Sequence, residues 1–487
     1  MNQEEFNDYK QQGFNHIPVF RQIEAYNKNV LATYYTIANT AYSYLFESSH
    51  DSDTKWGRYS IIGLKSQKII KIFDNNIKIY YEDKCIESLS DIKNPLDWIE
   101  SYKKQYIVPK IKELPDFYGG FVGYFGYEVV RYIEPKLAKK PQKEGLDIPD
   151  ILLMLSNDLV VFDNKNQQIF LITHIDPNNE SLAEAHVKLD IIEKAINSKL
   201  KVLPKLKKRD NLSFISQFGE QKYKKAVKDI QEYIIKGDVM QVVPSQRLSN
   251  TFTDEPLALY KSLTTLNPSP YMYFLHLNDM FIVGSSPEIL TRVENNKATV
   301  RPLAGTRNRG KTKAEDLALE KDLLADEKEI AEHLMLIDLG RNDLGRVAKI
   351  GSVKVSDKMN IERYSHVMHI VSNVECTLKD NISALDVFKA TFPAGTLSGA
   401  PKVRAMEIID EVETIKRNIY SGAIGYISWH DNMDLAIAIR TAVIKDKQLF
   451  VQAGAGIVYD SIPELEWQET MHKAQAVIGA SRGGNDN

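Results

Sequence analysis

Cysteine is nearly absent from this chain: Cys85 and Cys376 are the two in 487 residues, far apart and outside any CxxC spacing. That excludes a disulfide framework and a structural zinc, and it predicts a reducing, cytoplasmic setting in which both thiols are buried apolar residues. No apolar run approaches the ~20 residues a membrane helix needs, ILLML at 151–155 being typical of the longest. A surplus of one charge is missing too. Lys+Arg number 62 against 65 Asp+Glu, and a net charge of −3 leaves no footprint for nucleic acid or an anionic membrane. The polar, partly acidic N-terminus is no secretory signal. Neither GxGxxG with a ribose-binding acid nor GxxxxGK[ST] occurs, which removes the nucleotide readings. No internal repeat or low-complexity segment is visible.

What the chain does have is 43% hydrophobic residues, enough to bury one large core or two of ordinary domain size. Residues 30–90 alternate apolar and polar in short runs between turn residues, which predicts antiparallel strands. Glycine interleaved with aromatics over 117–134 predicts a packed strand with close backbone approach. The proline- and charge-rich 134–150 predicts an exposed loop, and 181–200 has helical periodicity. The segment 201–211 is the linker candidate between an N-terminal α+β region, 1–200, and a second region, 215–482. There the pattern predicts a helix at 220–236, strands around 239–249, 271–276 and 280–284, and one long helix across 313–337. Helices at 384–391 and 401–412 and strands at 420–430, 434–444 and 448–458 complete it. Antiparallel groups of strands with helices between the groups predict an α+β fold, not a doubly wound parallel sheet.

Chemistry concentrates near the C-terminus. The stretch 451–474 sets a Gly454-Ala455-Gly456 turn, whose backbone N–H groups could face a ligand, behind a β-prone run. Glu466, Glu469 and Lys473 follow at spacings of three and four, on one helical face. Glu329 and Glu332 repeat the theme. Glutamates at helical spacing are commonly just a solvated face. Two pairs beside apolar or glycine-rich segments suit instead an anionic substrate held through a hard cation such as Mg2+, which prefers oxygen ligands. Gly395–Lys402 has the composition of an anion cradle opening a helix, against the plainer reading of a tight turn. Arg440, a charge on an apolar strand, wants a partner or a carboxylate ligand. His369 is the histidine for acid–base work with His366 as rival, although a lone histidine is more often structural. Glu288, after Gly284-Ser285-Ser286-Pro287 at a strand end, sits where a carboxylate can be buried with a raised pKa.

In order along the chain stand SSPEIL, RPLAGTR, KEIAEHLMLIDLGRNDLGRV, YSHVMHIVS, GTLSGAPKVRAMEII, YSGAIGY, IAIRTAV and VQAGAGIVYDSIPELEWQET. Together they resemble the chorismate-utilising enzymes, most closely the branch of anthranilate synthase large (aminase) subunits. The resemblance is dense over 215–480 and reaches the N-terminal half through LFES and GGFVGYFGYE. It implies a chorismate-binding fold of largely antiparallel sheets flanked by helices, with the N-terminal portion packed against it. Water-adding relatives carry a lysine base where Gln241 stands here, and an amide cannot deprotonate water, which suits ammonia as the nucleophile. Aminodeoxychorismate synthases, the nearer alternative, carry a nucleophilic lysine where this chain has Ala304. A non-catalytic sensor is the farther alternative.

The resemblance further implies Mg2+ held by Glu332 and Glu469, with Glu329 and Glu466 in or near its coordination sphere. It places Tyr420, Arg440, Lys473 and the Gly454–Gly456 backbone on the enolpyruvyl carboxylate, and Gly305, Thr306 and Thr396 near the ring. Glu288 becomes the general acid and His369 the assistant to pyruvate elimination. Neither cysteine lies in a glutaminase nucleophile elbow, so ammonia would come from glutamine through a partner amidotransferase subunit. Finally, Glu47 and Ser48 of LFES, Arg58, and Pro270, Tyr271 and Met272 of NPSPYM resemble a feedback site for L-tryptophan. Such an amino acid needs an acceptor for its ammonium, donors for its carboxylate and an apolar slot for its ring.

Overall fold

The computed structural model describes residues 1–25, 28–48, 57–209, 212–364 and 367–483; His366 and the end of the linker candidate lie outside the described residues. Among the described residues, strands form an eleven-stranded sheet, a twelve-stranded sheet and a two-stranded ladder of Gln241–Val242 with Gly399–Ala400. Pairing is antiparallel throughout, and helices pack on the sheets, the α+β arrangement expected. Alternation along each strand sorts side chains into layers. On the strand Ser43–Glu47, Tyr44 enters an apolar cluster that also holds Phe121 and Ile424 of the other sheet. Its neighbour Leu45 points the opposite way, into a cluster with Leu189, Tyr260 and Ile478 of the covering helices.

Each sheet draws strands from both sides of the 201–211 segment. The halves of the eleven-stranded sheet meet where Ser43–Glu47 pairs with Tyr271–His276. No repeat is visible in the sequence, yet the chain takes the same route twice. Tyr59–Gly63 lies in the eleven-stranded sheet and the next strand, Lys68–Phe73, in the twelve-stranded one; Met280–Ser286 and Ile289–Glu294 cross in the same sense. The return crossing runs from Ile151–Ser156 to Leu159–Asp163 in one half and from Met433–Ile437 to Thr441–Lys445 in the other.

Departures from expectation are local and have physical causes. The strand expected over 434–444 is two strands in different sheets, because residues 438–440 carry the crossing. The long helix expected over 313–337 breaks at Asp326 into Lys313–Ala325 and Glu327–Gly345. The Asp326 carboxylate accepts from the amides of Lys328 and Glu329 and so starts a new helix. Residues 30–37, read as part of a strand region, form a helix capped by Asn29. Cys376 is buried as expected, but Cys85 is exposed. The 134–150 loop contains a helical turn, Pro135–Ala138, and Lys143 reaches inward to the carbonyls of Asp410 and Glu413.

Candidate functional site

Two of the expected residues occupy crossings between the sheets. Glu288 sits between Met280–Ser286 and Ile289–Glu294, and Arg440 between Met433–Ile437 and Thr441–Lys445. Arg440 adopts φ of +51°, a left-handed conformation that an ordinary strand residue avoids. The crossings are stitched together: Ser285 N–H donates to the Arg440 carbonyl at 3.2 Å, and Ile437 N–H to the Glu288 carbonyl at 3.0 Å.

Glu288 is 7% exposed. Burial pushes its carboxyl up to about 8, against the hydrogen bond from Thr396 Oγ1 at 3.0 Å and the charge of Lys473. Near neutral pH it therefore holds a proton. Lys473 itself pairs with Glu469 at 2.6 Å and donates to the Gly454 carbonyl at 3.1 Å. Burial lowers the Arg440 guanidinium from its usual value, against the pull of Tyr420 and Glu469. The Tyr420 hydroxyl lies against Gly454, where an added Cβ would stand 2.9 Å from it. Ala455, expected to offer its N–H to a ligand, donates instead to the Pro244 carbonyl at 3.3 Å and is fully buried.

Burial likewise lowers His369, against its hydrogen bond to Gly305, with Arg440 lowering it further, so the ring is neutral near pH 7. Its Nδ1 stands 3.0 Å from the Gly305 carbonyl and 3.0 Å from Thr306 Oγ1. A carbonyl can only accept, so Nδ1 carries the hydrogen and Nε2 keeps its lone pair. Gly305, at φ +71°, also lies close to Glu329: a Cβ there would sit 3.3 Å from Glu329 Oε2.

The four expected metal carboxylates stand on two helices, Glu327–Gly345 and Pro463–Ser481. Among the described residues no three His, Cys, Asp or Glu side chains gather into a finished cation cage. Mg2+ does not require one, since it binds through one or two carboxylates and keeps waters or substrate oxygens. The donor set fits such an ion. Burial and then the neighbouring Glu332 raise Glu329; burial raises Glu466 against a Ser461 hydrogen bond, and Glu469 raises it further. Each carboxylate also carries a protein donor that would orient it: Gln241 on Glu332 at 2.9 Å, Arg307 on Glu329 at 3.5 Å, Lys473 on Glu469 and Ser461 on Glu466. Arg307 and Ser461 escaped sequence reasoning; the single signal for Arg307 is its place directly after Gly305-Thr306.

The expected effector segments, more than 200 residues apart in sequence, are neighbours: Glu47 and Met272 are register partners on adjacent strands. Burial raises the Glu47 carboxyl, against a 2.7 Å hydrogen bond from Tyr260. Met272 is buried, Ser48 half-buried, and Pro270 and Tyr271 line a small cavity shared with Glu288. The Tyr271 hydroxyl donates to Asp434 at 2.9 Å. Arg58 is engaged by Asp163 at 2.8 Å.

Residues 44–479 match the family of chorismate binding enzymes. Curated relatives include anthranilate synthase component 1 of Acinetobacter calcoaceticus, 51% identical over 98% of this chain and 97% of that protein. The Pseudomonas aeruginosa component 1 is 50% identical over 99% and 98%. Among solved structures, anthranilate synthase component I from Streptococcus pneumoniae is similar at a TM-score of 0.77 and 37% identity, covering 88% of this chain and 95% of that one. The menaquinone-specific isochorismate synthase of Escherichia coli, at 17% identity, TM-score 0.71 and 98% coverage of both chains, shares the fold alone.

Proposed function

The chain belongs to the chorismate-binding enzymes, and from that membership we propose that it converts chorismate and ammonia to anthranilate and pyruvate, as the large component of an anthranilate synthase. One observation carries the chemistry: Glu288 is buried, holds a proton and accepts from Thr396 within the charge field of Lys473, while His369 is neutral and feels the charge of Arg440.

Ammonia brings its own lone pair to C2 of chorismate, so no base is needed where Gln241 stands. Hydroxide is a poor leaving group, and Glu288 supplies the proton that lets the C4 hydroxyl depart as water. The ammonium so formed at C2 loses a proton to solvent. His369 Nε2 then accepts the C2 proton as the C3–O bond breaks, and the departing enolpyruvate takes a proton at its methylene carbon to become pyruvate as the ring becomes aromatic. Arg440, Tyr420 and Lys473 orient the enolpyruvyl carboxylate, and Gly305, Thr306 and Thr396 border the ring. Glu332, Glu469, Glu329 and Glu466 would hold Mg2+, which supplies a Lewis acid for the ring carboxylate. In the cell the ammonia would come from a glutamine amidotransferase partner, and L-tryptophan would bind between Glu47–Ser48 and Pro270–Met272 as feedback inhibitor. No helix among the described residues is long and apolar enough to cross a membrane, and the composition favours the cytoplasm.

The test is direct. Purified chain with chorismate, Mg2+ and ammonium, without glutamine, should yield anthranilate and equimolar pyruvate, and chelation should stop it. An amino-chorismate that accumulates without aromatising would move the chain to the folate branch. No turnover would revive a binding-only role.

A further inference from the structure

Gln241 does more than leave room for ammonia. It begins the two-stranded ladder Gln241–Val242 with Gly399–Ala400, and its backbone is held on two sides. Met240 N–H donates to the Ala400 carbonyl at 2.7 Å, and Val242 and Ile457 exchange hydrogen bonds at 3.2 and 2.7 Å. Gly399, at φ +132°, admits the Gln241 carbonyl where a Cβ would stand 2.1 Å from it. The side chain is 5% exposed. Its Nε2 donates to Glu332 Oε1 at 2.9 Å, across 91 residues of sequence. On the other side it packs on Gly456, whose missing Cβ would lie 2.4 Å from that same nitrogen. The amide is thus wedged between the helix that carries Glu329 and Glu332 and the glycine turn that leads to the helix with Glu466 and Glu469.

The other orienting groups differ in kind. Lys473 and Arg307 are cations that partly discharge the carboxylates they touch, whereas Gln241 is neutral. A neutral donor fixes one carboxylate oxygen in place and leaves the full negative charge for a cation at the other. We propose that Gln241 is the positioning residue for Glu332, setting the reach of that carboxylate toward the divalent cation, and that Gly456 is glycine so that the amide can stand there. The proposal rests on the assignment of Glu332 to the cation in the proposed function.

Mn2+ binding, read by electron paramagnetic resonance on the full chain with and without chorismate and in the absence of ammonia, tests this without turnover. Gln241→Met keeps the volume and removes the donor; it should weaken Mn2+ binding roughly 10- to 100-fold with the melting temperature retained. Gly456→Ala is the second variant. Its Cβ meets the movable end of the Gln241 side chain, so it should displace the amide without unfolding the chain and weaken Mn2+ in the same direction. On a Glu332→Gln background, Gln241→Met should add nothing, because the carboxylate it positions is gone. Weakening by Glu332→Gln with none from Gln241→Met or Gly456→Ala would overturn the positioning role alone. Unchanged binding in Glu332→Gln would overturn the carboxylate assignment beneath it.

Discussion

The two halves of the molecule cross between the sheets in the same way and put different chemistry at the crossings. In the N-terminal half, Leu64 N–H donates to the Asp158 carbonyl at 3.0 Å, as Ser285 N–H does to Arg440 in the C-terminal half. Ser66 Oγ reaches the Leu155 carbonyl at 2.7 Å, and Thr173 Oγ1 donates to the Asp158 carboxylate at 2.5 Å. Every group named there is satisfied from within. In the other half the crossings carry Glu288, which holds a proton at neutral pH, and Arg440, a desolvated guanidinium that among the described residues has no carboxylate in hydrogen-bond contact; the charge of Lys473 acts on the first, and that of Arg440 on His369. The backbone device is shared, and each half buries a carboxyl that accepts from a threonine hydroxyl; what sets the second half apart is a desolvated guanidinium, Arg440, at the crossing where the first half carries Asp158.

The largest effect should come from removing the proton held at Glu288. Glu288→Gln keeps the shape and loses the proton donor, so the rate should fall roughly 10²- to 10⁴-fold in steady-state assays while chorismate binding, followed by calorimetry, persists. Asp158→Asn, at the return crossing of the N-terminal half, should leave the rate near wild type and cost about 1 kcal/mol in denaturant unfolding. Equal losses of rate in the two variants would break the comparison. His369→Ala should let the amino intermediate accumulate, visible by chromatography, with the first step preserved; anthranilate at the normal rate would remove His369 from the elimination.

A finer comparison uses the pair of strands at the centre of the eleven-stranded sheet. Tyr44 is the register partner of Gly63 and Tyr273 of Gly284, and a Cβ on either glycine would lie 1.9 or 2.0 Å from the tyrosine ring. The hydroxyls end alike, Tyr44 on Ser156 Oγ at 2.6 Å and Tyr273 on Thr441 Oγ1 at 2.6 Å. Gly63→Ala and Gly284→Ala should each cost about 1–3 kcal/mol by overpacking, measured by chemical denaturation. Gly284 precedes the Ser285–Glu288 joint, so its variant should also lower kcat, whereas Gly63→Ala should not.

That repeat explains what sequence reading reached and what it missed. The alternation of LFES and YMYFLH, the helical spacing of Glu466, Glu469 and Lys473, and the ordered motifs sufficed for strands, a helix and a family. A Tyr–Gly pair separated by 19 residues in one half and 11 in the other shows no period along the chain, although it is one packing solution used twice. The break at Asp326 was hidden because one capping carboxylate outweighs a continuous run of good helix formers. Arg440 looked like a charge in a strand because LAIAIRT alternates through the point where the chain changes sheets. Arg58 comes to the effector site through the resemblance alone; nothing in the sequence signals the Asp163 carboxylate, on a neighbouring strand, that engages it.

The smallest expected effect is also the cleanest separation of the halves, because it deletes a threonine-to-carboxyl hydrogen bond in each. Glu288 works as an acid, so kcat/KM should hold below its folded pKa and fall as pH rises through about 8. The Thr396 hydroxyl favours the ionised carboxylate, so Thr396→Val should raise Glu288 further and carry that alkaline limb to higher pH. Asp158 is likewise raised by burial and lowered by a threonine hydroxyl, that of Thr173. A carboxyl raised in the folded state contributes stability that is full below its unfolded pKa and lost as pH rises through the folded one. Thr173→Val should therefore deepen the loss of stability above that range, read as melting temperature against pH, and leave the kcat/KM limb where it was. A limb that moved with Thr173→Val, or stayed fixed with Thr396→Val, would mean that the two joints are not divided between structure and chemistry in this way.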